Sequence, residues 1–158
     1  MKNFIIIICI VGGAFFLRQS IQNPDVIDNP VYAENRMTID FSNRSIESVI
    51  FIKTIDEAEC KKYSKNIQDG FQKASPNLKL RWVAKSSECK SELPPRYAKL
   101  FDNVPASVAY LSVSGGGRQR EIRMLTLGVS VEESDMVCDI FSKNNPFKGT
   151  ATCIRTIR

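Results

Sequence analysis

The residues in this chain best equipped for chemistry are its cysteines. Cys60, Cys89, Cys138 and Cys153 lie in the body of the chain, and Cys9 sits in an apolar run near its start. A cysteine attacks as its thiolate, which forms where a helix N-terminus or a cation lowers the thiol pKa. Glu57 and Glu59 stand just ahead of Cys60, and two carboxylates there oppose that ionisation. The alternative chemistry is cross-linking. An even number of cysteines in an exported chain favours disulfides, here two, although spacing alone leaves their connectivity open. Histidine is absent, which excludes Ser-His-Asp and Cys-His hydrolases, His-rich zinc sites and imidazole proton shuttles. The carboxylates form no recognisable acid/base pair, and the residues imply neither a cofactor nor a metal.

The compartment follows from the first residues. An apolar run from Phe4 to Leu17 is preceded by Lys2 and closed by Arg18. At about 1.5 Å per helical residue it is short for a hydrocarbon core of about 30 Å, and it reads as the h-region of an export signal. A tilted, uncleaved anchor is the alternative. Residues 1–18 are therefore assigned to an export signal or N-terminal membrane anchor. Residues 19–44 carry Asn23-Pro24 and Asn29-Pro30 without a sustained apolar period, and are assigned to a linker or flexible arm. One domain is expected over 45–158. Such a chain is exported, either periplasmic or anchored in the inner membrane facing the periplasm, with secretion as the alternative. Cys9, in the middle of the run, reads as an apolar signal residue. Asn43-Arg44-Ser45 fits an N-glycosylation pattern that matters only in a eukaryotic secretory route.

The formal net charge is +5, with basic residues scattered among acidic ones. The local cluster Arg118, Arg120 and Arg123 reads as a solvated strand. No nucleic-acid partner is expected, and membrane contact is confined to the N-terminal segment.

The elements that must position the cysteines show in the hydrophobic periods. Val49-Ile50-Phe51-Ile52 is a continuous apolar run, as in a central strand covered on both faces of a mostly parallel sheet. Thr54 with Glu57 predicts a capping box. Cys60, Tyr63, Ile67, Phe71 and Ala74 then mark one helical stripe, interrupted by Gly70 and stopped near Pro76. Leu78, Leu80 and Trp82 alternate with Lys79, Arg81 and Val83 as in a strand, which makes Trp82 a core residue. A short helix after Pro94-Pro95 carries Tyr97, Leu100 and Phe101. Ala106–Val113, the glycines 115–117 and Arg118–Leu127 predict a β-hairpin. Those glycines lack the Gly-Lys-Ser/Thr that a phosphate loop needs, and a strand follows them. Ser130 with Glu133 caps a last helix whose apolar face is Met136, Val137, Ile140 and Phe141. Pro146 ends it, and Thr150–Ile157 is prone to add a terminal strand. No internal repeat is visible.

In this order of elements the chain resembles the thioredoxin family, over roughly Val49 to Phe141. Asn103-Val104-Pro105-Ala106-Ser107-Val108-Ala109-Tyr110-Leu111 is similar to the valine/isoleucine-proline-threonine segment leading into that family's third strand. Gly115-Gly116 sits where the family's hairpin glycine falls, and Leu127-Gly128-Val129-Ser130 resembles the stretch before its last helix. The resemblance implies an α/β, thioredoxin-like βαβαββα fold, a central mixed sheet flanked by helices with an extra C-terminal strand. It also implies a cis peptide bond between Val104 and Pro105.

The departure falls at the family's reactive motif. Redox-active members place Cys-x-x-Cys at the start of the first helix, and this chain reads Glu57-Ala58-Glu59-Cys60-Lys61 there. In the family's topology the first two strands lie side by side and parallel, so the resemblance implies a Cys60–Cys89 disulfide close to Pro105. With it goes a Cys138–Cys153 disulfide. The function so implied is a non-catalytic module that holds a protein partner in the cell envelope, through a surface including Val104, Pro105, Arg96 and Tyr97. It looks like the thioredoxin-like members of bacterial secretion and conjugation machineries that lack the double-cysteine motif. Two alternatives stand beside it: a thiol-disulfide exchange enzyme using Cys60 and Cys89, and a secreted effector or inhibitor.

Overall fold

The computed structural model describes residues 27–41, 44–78, 81–115 and 120–156. The N-terminal apolar run, Cys9, Asn43, Leu80, Gly116, Gly117 and Arg118 lie outside them.

The first strand stands inside the segment expected to be a linker. β1 (Val31–Phe41) pairs antiparallel with β2 (Arg44–Thr54) in unbroken register, from Val31 opposite Thr54 to Phe41 opposite Arg44. Ala33, Met37 and Ile39 are fully buried on one face of β1, as strand alternation requires. α1 (Glu57–Leu78) then crosses back, and β3 (Arg81–Lys90) pairs antiparallel with the other side of β1. Since β1 opposes both neighbours, β2 and β3 run in the same direction with β1 inserted between them. The expected parallel contact between them is thereby replaced by two antiparallel ones.

α1 is capped by Asp56 rather than Thr54. The Glu59 amide donates to Asp56 Oδ1 at 2.7 Å, and the Ile55 amide donates to the Glu59 carboxylate at 3.0 Å. Thr54 is engaged elsewhere, its hydroxyl donating to the Val31 carbonyl at 2.6 Å. The helix runs two residues past Pro76.

The second half repeats the same order of elements. After α2 (Pro95–Ala98) and a 3-10 turn at Lys99–Asp102 come β4 (Tyr110–Ser114), β5 (Ile122–Leu127), α3 (Val131–Lys143) and β6 (Thr150–Ile154). β4 and β5 form the expected hairpin, and β6 pairs with the free side of β4. Ser130 and Glu133 form the expected capping box. Each half is thus a ββαβ unit, and pairing of β2 with β5 joins the two. The result is one six-stranded sheet of order β3-β1-β2-β5-β4-β6, antiparallel throughout. A pseudo-two-fold axis passes between β2 and β5, so the topology contains a repeat that the sequence does not display. An α/β fold with a terminal strand is present. The βαβαββα order and the mixed sheet are not, because β1 supplies β2 with a hairpin partner ahead of the first helix.

α1 and α3 lie on the same face, over Met37, Ile39, Ile50, Ile52, Leu111 and Met124. The opposite face is covered at its centre by the connection from β3 to β4, whose Tyr97, Leu100 and Phe101 pack on Val49, Phe51, Tyr110 and Leu125. Val49 to Ile52 are fully buried for that reason: an antiparallel strand can also be roofed on both sides.

Candidate functional site

The four cysteines of the described chain are all bridged. Cys60 at the start of α1 joins Cys89 on β3, and Cys138 on α3 joins Cys153 on β6, with Cα separations of 6.1 and 5.8 Å. On the strand side the staples correspond, since Cys89 and Cys153 are each the penultimate residue of the half's third strand, while Cys60 lies in the first turn of α1 and Cys138 near the middle of α3. β3 and β6 are also the two edges of the sheet, so each disulfide ties its helix to an outer strand. Cys60 is fully buried and Cys89 is partly exposed. Glu57 pairs with Lys61 at 2.7 Å, while Glu59 binds Arg120. The carboxylates flanking Cys60 are therefore both held in ion pairs.

The surface expected around Pro105 lies elsewhere. Val104 and Pro105 are exposed, but they belong to the connection that roofs the opposite face, where the Tyr110 hydroxyl donates to the Val104 carbonyl at 3.0 Å. The sheet separates them from the Cys60–Cys89 bridge under α1. The Val104–Pro105 peptide is trans. Tyr97 is a core residue, its ring 4.7 Å from that of Phe51, and the exposed Arg96 stacks over it at 4.6 Å. Arg96, Val104 and Pro105 remain at the surface, while Tyr97 is used in packing.

The same face carries charge. Glu34 is almost fully buried between Arg36 at 2.8 Å and Lys90 at 2.6 Å, and Arg36 continues to Glu47 at 2.7 Å. Burial alone would raise the Glu34 carboxyl; hydrogen bonds from Lys90 and Arg36 outweigh it and hold the group below the usual glutamate range. Arg123, expected in a solvated cluster, is 1 % exposed. Its guanidinium donates to the carbonyls of Leu100 (2.8 Å), Ile122 (3.1 Å) and Phe101 (3.2 Å) and to the Glu121 carboxylate (2.6 Å). It fastens the 3-10 turn to the sheet, which is a structural role.

An open concave feature with a partly apolar lining lies on the helical face. α1 packs mainly on the strands of the first half and α3 on those of the second, with Phe141 of α3 reaching Trp82 of β3 at 5.7 Å. The trough, of about 600 Å³, has Ile52 and Ile122 as its floor. Ile67, Gly70 and Phe71 of α1 form one wall, and Pro146-Phe147-Lys148 after α3 form the other. The rings of Phe71 and Phe147 approach to 6.0 Å at one end. At the other, Arg120 lies over the Tyr63 ring at 4.9 Å and binds Glu59, which raises the guanidinium above its ordinary range. Lys148 is exposed at the rim. A volume of this size is typical of sites that take a small ligand or a few residues of a peptide.

No protein family, curated protein or solved structure matches this chain. Among the described residues, no group of three or more Cys, Asp or Glu side chains is placed to hold a metal ion, and no helix is long and apolar enough to cross a membrane. The trough is what sequence reasoning missed. Its residues were assigned to a helix stripe and a strand. The one available signal was Gly70, a glycine inside an otherwise regular helical period.

Proposed function

We propose that this chain is an exported, disulfide-stapled binding module that holds a protein partner in the trough between α1 and the segment that follows α3. The observation that carries the reading is the trough itself, a concavity between α1 and Pro146-Phe147-Lys148 with partly exposed apolar walls and basic side chains at its rim. The paired cysteines and the apolar run after Lys2 support export, and an accessory role in envelope assembly or secretion suits a stapled domain without histidine. Thiol exchange has less support. A nucleophile would have to reach Cys89, since Cys60 is fully buried.

The test is site-specific photocrosslinking in the native host, with the full oxidised chain carrying the photoreactive residue at Asn66 beside the trough or at Lys85 on the β3 edge. The expected result is a discrete crosslinked polypeptide from Asn66, absent from Lys85 and lost when Gly70→Leu fills the trough. The same product from Lys85, or an Asn66 product indifferent to Gly70→Leu, refutes the proposal.

A further inference from the structure

We infer that the trough receives a short apolar segment of a partner polypeptide bearing a carboxylate, either an acidic side chain or a free C-terminus; this rests on the binding role proposed above. Four features of the site converge on that chemistry.

The first is Gly70. A glycine inside a helix is about 1 kcal/mol less favourable than alanine, so its presence calls for a local reason. Its φ is not positive, so the backbone does not require it. A Cβ built on it would meet nothing within 4 Å, so the packing of this chain does not require it either. Gly70 faces the trough, and what its missing side chain permits is close approach of another backbone. The second feature is the lining, where Tyr63, Pro146 and Phe147 keep apolar surface exposed above the buried Ile52, Ile67, Phe71 and Ile122. The third is charge. Lys148 stands at the rim with no ion pair among the described residues. Arg120 binds Glu59 through one nitrogen, leaving its buried Nε without an acceptor. These two cations select a carboxylate over an ammonium or a neutral group.

The fourth feature separates a peptide from a lipid. The trough is open along its length, so an acyl chain lying in it keeps one side in water and loses about 25 cal/mol of transfer free energy for each Å² left uncovered. A peptide segment turns a polar edge to the solvent instead. Its backbone gains from the close approach that Gly70 allows, whereas an acyl chain has no use for it.

The experiment is selection from a library of random octapeptides on the immobilised, oxidised full chain, in parallel with Gly70→Leu and Lys148→Glu. Leucine is a good helix former, and an unchanged circular dichroism spectrum with an undiminished melting temperature verifies that the Gly70→Leu fold is intact. The inference expects enriched peptides that combine Leu, Ile or Phe with Asp, Glu or a free carboxylate. Gly70→Leu abolishes their binding, and Lys148→Glu weakens it by about three- to tenfold, less so at high salt. Neutral or basic enriched peptides, or affinity indifferent to Lys148→Glu, overturn the carboxylate assignment while leaving a Gly70→Leu-sensitive binding module standing. Binding that survives Gly70→Leu overturns the trough itself and the proposed function with it. Saturable binding of a fluorescent long-chain fatty acid, lost in Gly70→Leu and with no peptide enriched, overturns the peptide in favour of a lipid.

Discussion

Replacing Arg123 with methionine keeps a long unbranched side chain in place while removing the guanidinium donors that secure the 3-10 turn. The Phe101 carbonyl loses its 3.2 Å partner, and the Leu100 carbonyl loses Nε at 2.8 Å but keeps the Asn103 amide at 3.1 Å. Glu121 loses its contact at 2.6 Å and retains only Lys53 at 3.8 Å. A hydrogen bond to a charged group contributes about 1.5–3 kcal/mol, an orphaned buried acceptor costs about 1–3, and breaking a buried pair costs about 3–5. These overlap rather than add, and the expected loss is about 3–5 kcal/mol from a total of about 5–15. At roughly 3–5 °C for each kcal/mol in a domain of this size, the melting temperature falls by roughly 10–20 °C. Urea unfolding followed by Trp82 fluorescence gives the free energy, and calorimetry gives the midpoint. The loosened turn uncovers Val49, Phe51 and Leu125, so binding of a hydrophobic dye should rise before global unfolding. Arg123→Lys, which keeps the charge but not the planar fork, should lose about half as much. A loss below about 1 kcal/mol for Arg123→Met would show that the turn is held by apolar packing and that the buried guanidinium does not fasten it.

Three other perturbations have definite outcomes. In the chain-entropy account, replacing Cys138 and Cys153 by alanine costs about 3 kcal/mol for a span of 15 residues, and replacing Cys60 and Cys89 about 3.6 for 29, measured by urea unfolding. Gly70→Ala raises stability by about 1 kcal/mol, because the open space at Gly70 accepts a methyl group; a lower melting temperature contradicts that geometry. Glu34 titrates lower in the folded chain than in the unfolded one, so its contribution is complete above the unfolded glutamate pKa of about 4.3 and disappears as pH falls through the folded value. The stability difference between the native chain and Glu34→Gln should therefore be constant near neutrality and shrink below about pH 4; a difference that grows with acid reverses the assignment.

Much of the fold was legible because its helices and central strands have clean periods. The Ser130 capping box, the stripe through Cys60, Ile67 and Phe71, and the paired run at Val49 to Ile52 all stand where the sequence placed them. β1 was not, for a physical reason. Its buried face reads Ala33, Asn35, Met37, Ile39, with a fully buried amide interrupting the apolar alternation, and its other face carries Glu34, Arg36 and Asp40. Missing that strand made β2 look like the start of a βαβ unit, from which the parallel sheet and the thioredoxin-like order followed. The disulfide pairs implied by that order are nevertheless those of the structure. β2 and β3 do point the same way, and Thr54 and Lys90 both end beside the start of β1. The trough was illegible because no single segment encodes it: floor, wall and rim come from β2, β5, α1 and the residues after α3.

The staples and the trough both lie on the duplicated topology. Each ββαβ unit places its middle-sequence strand, β2 or β5, against the other unit and its last strand at an outer edge. Each disulfide ties its helix to that last strand at the outer edge. A six-stranded sheet at about 4.8 Å per strand is about 24 Å across, enough for two helices of about 10 Å with little to spare. Phe141 of α3 reaches Trp82 of β3 at 5.7 Å and Phe147 meets Phe71 at 6.0 Å, so the two halves are joined above the sheet and Ile52 and Ile122 stay buried. Apolar side chains there would ordinarily be covered by larger residues from α1, yet the helix presents Gly70 at that level. Ile52 and Ile122 are buried while Gly70 leaves open space above them, which is why the trough reads as a built feature of this fold rather than a packing defect.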